Sequence, residues 1–400
     1  MPILTFCILN LRHRNPFSTM AEELRKVDSA IASRSSKTGT MKALRIHGKE
    51  DLRLEDIPAP QCGDGQIMIK PAWCGICGTD LHEYMGGPSL CPTTPHPITN
   101  ETVPLTIGHE FSGIIEELGQ GVSNKYAVGQ RVVVQPIIYC GECGSCKDGI
   151  PNCCDKNGFV GLSGWGGGLA EYIVVPEYCV VPVPDNVSLE LAALVEPLAV
   201  AWHAVNMSPV KEFKKGQFAL ILGGGPIGLS VIQALKAHGD GTIIVSEVST
   251  KRKAFAEDFG ADYILDPTKD DIPERCKEIC GGIRGVDCVF DAAGVQAGLD
   301  AAVLAMRARG TLVNIAIWEK DARIIPNQFV FREKTYKGVA TYVLGDFDEV
   351  LQAISSGRMK PEKMITKKVE LKDVIEEGFL TLLADKDNHV KVLIKSNNVE

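Results

Sequence analysis

The stretch "FALILGGGPIGLSVIQALKAHGDGTIIVSE", Phe218 to Glu247, decides the fold. It parses as strand, glycine turn, helix and second strand. Phe218 to Leu222 is continuously apolar, as a parallel strand covered on both faces should be. Gly223, Gly225 and Gly228 fit G-x-G-x-x-G, whose missing side chains let backbone amides at a helix N-terminus approach a pyrophosphate. Pro226 opens the helix, Ile227, Val231 and Leu235 form its buried stripe, and Gly239 ends it. The second strand ends at Glu247, 19 residues after Gly228. A carboxylate there accepts both ribose hydroxyls of NAD and repels a 2′-phosphate, so NAD is favoured over NADP. Arg252, just beyond, is placed to lie over the adenine.

The alternation continues downstream. "VDCVFDAAG" (Val286 to Gly294) reads as a buried strand running into a glycine loop. "QAGLDAAVLAMRARG" reads as a helix closed by Gly310, and "TLVNIAI" (Thr311 to Ile317) as another apolar strand. Strands alternating with helices predict an α/β fold with a doubly wound parallel sheet. Ligands of such sheets lie at the carboxyl ends of the strands. The turn after Phe290, at Ala292, and the segment Ile315, Ala316 and Ile317 are therefore expected to line the nicotinamide; their alternative role is core packing.

Upstream the texture differs. "IMIKPAWC", "SGIIEELG", "QRVVVQPII" and "LAEYIVVP" are short strands broken by Gly and Pro, predicting a mostly antiparallel, barrel-like domain. "GLSGWGGG" (Gly161 to Gly168) is expected to be a flexible connection within it. After about residue 340, "DFDEVLQAISSGRM" reads as a helix and "HVKVLIK" as a final strand returning to the first domain. The expected organisation is an N-terminal extension at 1–40, a catalytic domain at 41–193, a dinucleotide domain at 194–338, and a return to the catalytic domain at 339–400.

The extension is rich in Ser, Arg and Lys, offers alternative starts at Met20 and Met41, and is expected to be disordered. Arg12, His13 and Arg14, with no acid before Glu22, faintly resemble a mitochondrial transit peptide. A tail on a cytoplasmic protein is the favoured reading. The whole chain has 400 residues, a net charge of −8 and a pI near 5.6. No run of 18 apolar residues suggests a membrane span, and an acidic chain without basic clusters argues against nucleic acid as a partner.

Fourteen cysteines without a signal peptide read as reduced thiols, and seven fall in two clusters. In "YCGECGSCKDGIPNCC", Cys140, Cys143, Cys146 and Cys154 stand at C-x2-C-x2-C-x7-C, which suits a closed tetrahedral structural zinc. Cys153 is the spare thiol. A disulfide pair or a redox couple are the alternatives. The second cluster, "CGICGTDLH" (Cys74 to His82), joins "GHE" (Gly108 to Glu110) and Glu196 of "VEPLAVAWHAV". Together they offer thiolate, imidazole and carboxylate, the donor set of a catalytic zinc with one open position. Singly, each of these residues is more often plain packing.

These motifs together resemble the zinc-dependent medium-chain alcohol dehydrogenases, whose catalytic domain is GroES-like, across nearly all of residues 41–400. "CGICGTDLHEY", "CPTTPHPITNETVPLTIGHEFSG", "EPLAVAWHAV" and "LVNIAIW" are most similar to the fungal (R,R)-2,3-butanediol dehydrogenases. The resemblance implies two zinc ions per chain, one catalytic and one structural. Cys77, His109 and a carboxylate, Glu196 ranked before Glu110, would hold the catalytic ion. It implies oxidation of a vicinal diol to a hydroxyketone, the zinc acidifying the hydroxyl, Thr79 and His82 relaying the proton, and NAD taking the hydride. It also implies a small-molecule substrate and a homo-oligomer, dimer or tetramer. Sorbitol and xylitol dehydrogenases are the nearest alternative. Against them, Glu83 intervenes between His82 and Tyr84, and Thr341 stands near the place of a polyol-binding arginine. A zinc-stabilised NAD-binding protein without dehydrogenase activity is the alternative of another class.

Overall fold

A computed structural model describes residues 39–399. The expectations placed on the N-terminal extension, apart from its last two positions, lie outside the described residues.

Six parallel strands form the dinucleotide sheet. Their order across it is Tyr263–Leu265, Thr242–Ser246, Phe218–Leu222, Val286–Asp291, Met306–Asn314, Thr335–Gly338. In chain order that is 3-2-1-4-5-6, the doubly wound arrangement whose ligand crevice opens beside the first strand. Gly225 caps the helix Pro226–His238, and Gly223 takes φ +92°. A Cβ on Gly228 would stand 1.9 Å from the Gly223 carbonyl oxygen, so only glycine lets helix and turn pack together.

Two elements of this half depart from the sequence reading. The helix starting at Gln296 stops at Ala305, and the next strand begins at Met306 rather than Thr311. "MRARG" is rich in helix formers, yet tertiary pairing overrides it. Met306 is buried opposite Val286, and Arg307 Nε donates to Asp287 Oδ1 at 2.7 Å. The register then jumps to Cys288–Thr311, with Arg309 at φ +59° in the bulge. The strand also ends early, at Asn314, because the Ile315 and Ala316 amides both turn to the Asp291 carbonyl at 3.0 Å.

In the other half, a mixed sheet runs Val180–Pro182, Arg131–Val134, Glu110–Leu118, Gln66–Gly75, Lys391–Lys395, Ile365–Glu370, with Ile173–Pro176 also on Gln66–Gly75. Lys391–Lys395 thus lies inside this sheet, antiparallel to residues 73–75 and parallel to Ile365–Glu370. A three-stranded sheet, Asp51–Pro58, Thr40–Gly48 and Leu105–Thr106, flanks it. The helix Val195–Asn206 joins the halves: Leu198, Trp202 and Val205 share one core with Ile221, Phe290, Tyr342 and Val350.

The glycine stretch 161–168 is not flexible. It is almost wholly buried, and it needs glycine because it lies directly on the Gly108–His109 backbone. A Cβ on Gly161 would come within 2.2 Å of the Gly108 carbonyl oxygen, and one on Gly168 within 2.5 Å of the Phe111 ring. The Gly168 amide donates to that same Gly108 oxygen at 2.8 Å.

Candidate active site

The site is assembled around the N-terminus of the helix Gly78–Gly86. Cys77 is its N-cap, and the Cys77 amide donates to Asp80 Oδ2 at 2.9 Å. A helix N-terminus is a favourable place for an anionic ligand atom. Cys74, three residues earlier, is the contrary case: burial pushes its thiol far up, and it donates to the Gly75 carbonyl at 3.6 Å.

His109 and Glu110 arrive from the neighbouring strand, where Glu110 lies opposite Gly75. Potential ligand atoms of Cys77, His109 and Glu110 lie within 4.8 Å of one another. Asp80 Oδ1 stands 3.5 Å from His109 Nδ1, leaving the other ring nitrogen for an ion. Neither Asp80 Oδ1 nor His109 Nδ1 makes a hydrogen bond. Thiolate, imidazole and carboxylate converging in a buried spot fit zinc.

Glu110 has a partner that the sequence reading missed. Lys391 Nζ donates to both Glu110 oxygens, at 2.5 and 2.6 Å, and both side chains are buried. Burial opposes the ammonium, but Glu110 and Cys77 hold the Lys391 pKa above its ordinary value. A Cβ on Gly75 would fall 2.3 Å from Glu110 Oε2, so glycine makes the space for this carboxylate.

Glu196 is brought near but lies outside the three-residue group. It sits in the first turn of the helix Val195–Asn206, where the Tyr342 hydroxyl donates to its Oε1 at 2.7 Å. Burial pushes the Glu196 carboxyl up to about 7, with the nearby Glu110 charge adding to the rise. Thr79 and His82 follow on the Cys77 helix, and the half-exposed His82 Nε2 lies 3.5 Å from Glu319 Oε1, across the cleft. Neither Tyr342 nor Glu319 has a local signal in the sequence.

On the dinucleotide side, Glu247 is buried at the end of its strand. It accepts from the Gly224 amide at 2.6 Å and the Ser249 amide at 2.7 Å, tying the acid to the glycine turn. Arg252 Nε meets Asp387 at 3.2 Å, and its guanidinium also borders Gly225. Ala292 is held by its amide on the Leu222 carbonyl, while Ile227 is half-buried and Ile317 is exposed.

The four-cysteine loop is compact. Ligand atoms of Cys140, Cys143, Cys146 and Cys154 all lie within 4.8 Å of one another. Cys154 Sγ is 3.5 Å from Cys140 Sγ and 3.9 Å from Cys143 Sγ, far beyond a disulfide bond of about 2.05 Å. Four sulfurs each about 2.3 Å from one tetrahedral zinc would be about 3.8 Å apart. Cys153 is exposed and outside the group.

Two family models match this chain: the alcohol dehydrogenase GroES-like domain over residues 63–185 and the zinc-binding dehydrogenase over residues 226–356. The (R,R)-butanediol dehydrogenase of Bacillus subtilis is 46% identical over 89% of this chain and 100% of its own length. The chain belongs to the zinc-binding alcohol dehydrogenases. Another relative in this family, the (R,R)-butanediol dehydrogenase of Saccharomyces cerevisiae, is 38% identical over 90% of this chain and 99% of its own. The crystal structure of the B. subtilis 2R,3R-butanediol dehydrogenase superposes with a TM-score of 0.83 at 45% identity, covering 89% of this chain and all of that one. The family's GroES-like and dinucleotide-binding halves are the two halves described above.

Proposed function

We propose that this chain is an NAD-dependent secondary-alcohol dehydrogenase that interconverts (R,R)-2,3-butanediol and acetoin. The observation that supports it most is the convergence of Cys77, His109 and Glu110, with His82 of the Cys77 helix meeting Glu319 of the dinucleotide half. In this reading those residues hold one zinc, and Cys140, Cys143, Cys146 and Cys154 hold a second, structural one. A zinc in the first group would supply Lewis acidity toward the substrate hydroxyl, and NAD would accept the hydride. Thr79 takes the hydroxyl proton as it releases its own toward His82, three residues on along the helix, which meets solvent beside Glu319. Gly223, Gly225 and Gly228 admit the pyrophosphate, Glu247 takes the ribose, and Ala292 with Ile315 to Ile317 borders the nicotinamide.

Diol is favoured over polyol because Thr341 brings no guanidinium beside Tyr342, so additional hydroxyls lack a bidentate donor. The molecule is a homo-oligomer in this reading. Among the described residues the edge strand Thr335–Gly338 has one neighbouring strand, and Leu304, Val330 and Phe331 are 59%, 66% and 78% exposed. Initial rates with NAD on the separate butanediol isomers, xylitol and sorbitol test the activity. The expected result is the highest kcat/KM on the (R,R) isomer; a higher value on xylitol would overturn it.

A further inference from the structure

The segment Ala340–Tyr342 runs between the two sites proposed to hold metal. At one end, Asn152 Nδ2 in the four-cysteine loop donates to the Ala340 carbonyl at 2.9 Å, across 188 residues of sequence. Asn152 is buried and lies two residues before the ligand Cys154. At the other end, the fully buried Tyr342 donates its hydroxyl to Glu196 at 2.7 Å. The next residue is fixed as well. The Val343 amide donates to Asp346 Oδ2 at 2.8 Å, and that oxygen pairs with His203 Nδ1 at 2.9 Å. His203 belongs to the helix that begins with Val195 and Glu196, so the segment is tied to that helix at two points.

Between the anchors, Thr341 sits at φ +48° with a buried hydroxyl that makes no hydrogen bond. A β-branched residue in the left-handed region is strained and persists only where its surroundings hold it there. Here the holders are the Asn152 bond on one side and the Tyr342 bond on the other. Among the described residues Tyr342 is the one hydrogen-bond donor to Glu196, whose carboxylate also feels the nearby His109 and Lys391.

We propose that Ala340–Tyr342 is a positioning strap: Asn152 fixes Tyr342, and Tyr342 fixes the Glu196 carboxylate beside the Cys77–His109–Glu110 group, coupling the cysteine loop to the catalytic site. The coupling rests on reading both groups as metal sites. Asn152 and Tyr342 are positioning residues, since neither reaches the reacting atoms except through another group.

The test uses the full chain loaded with cobalt, whose visible bands distinguish an all-sulfur site from a mixed-ligand one. Release of each ion to EDTA is followed without substrate, so the result stands whether or not butanediol is turned over. Tyr342→Phe should speed release from the mixed-ligand site up to about tenfold, the low end of an outer-shell effect, because it frees the Glu196 carboxylate that stands beside the three ligands. Asn152→Ala should speed the same release several-fold and leave the all-sulfur bands intact. The double variant should release no faster than Tyr342→Phe alone, because both act through one strap. Should Asn152→Ala lose the all-sulfur ion, Asn152→Leu, which keeps the size and removes the donor without adding a charge, takes its place. Multiplying effects in the double variant, or an Asn152 effect confined to the all-sulfur ion, would overturn the strap. Absence of cobalt from the mixed-ligand site would overturn the metal reading and the strap with it.

Discussion

Lys391 offers the sharpest test of how the catalytic pocket is held together. Its ammonium meets both oxygens of Glu110 at 2.5 and 2.6 Å, and both side chains are almost completely withdrawn from solvent. Lys391→Met keeps the length of the side chain and removes the charge. Glu110 would then be a buried carboxylate without its counter-ion, a situation that costs about 3–5 kcal/mol. Even the lower figure is a factor of more than 100 in the folded-to-unfolded ratio. Replacing both partners with apolar residues of similar size removes the charge that would be stranded. Lys391→Met/Glu110→Leu should therefore lie within about 1–2 kcal/mol of the parent, well below the sum of the single changes. The raised Lys391 pKa keeps the ammonium charged through the neutral range, so its contribution is fully present there and is lost as pH rises from the ordinary lysine value through the elevated folded one. Urea unfolding at pH 7.5 in the presence of a mild chelator measures all three variants. Trp73, opposite Lys395 on the adjoining strand, is a local fluorescent reporter. A Lys391→Met cost below about 1 kcal/mol, or single costs that simply add, would show that the pair does not carry the pocket's charge balance.

Three further outcomes are expected. Glu83 is buried and accepts from the Ser89 hydroxyl and amide and from the Leu90 and Cys91 amides, at 2.5–2.9 Å. Burial would raise its carboxyl, but these donors hold it below the usual 4.5. Glu83→Gln should cost about 2 kcal/mol at neutral pH; the loss should shrink as pH falls through the depressed folded value, and a pH-independent loss would contradict this. Metal analysis should find two zinc ions in Cys153→Ser and one in Cys146→Ser; loss of an ion from Cys153→Ser would move the ligand from Cys154 to its neighbour. Glu247→Ser should raise the KM for NAD about tenfold or more and let NADP turn over, and an unchanged NAD-to-NADP preference would remove Glu247 from the ribose site.

What the sequence made legible is what depends on neighbours a few residues apart. The glycine turn at 223–228, the acid closing the second strand and the cysteine spacing at 140–154 are short-range patterns, and each lies where the pattern placed it. Misreadings arose where remote contacts dominate. "MRARG" has a helical composition but follows Val286 and Asp287 into the sheet, and "GLSGWGGG" has the composition of a linker but is pressed against the Gly108 backbone. The two candidate acids make the same point. Spacing cannot rank Glu110 against Glu196, because their environments come from Lys391, 281 residues away, and Tyr342, 146 residues away. Yet one trace of that geometry survives in one dimension. "HVKVLIK" sets a lysine between valines in a strand whose residues 391–394 are all buried. An ammonium is almost never fully buried without a partner, so such a strand calls for an acid within reach of its lysine. The neighbouring strand ends at Gly75, opposite Glu110, and the missing side chain there is what lets that acid reach across.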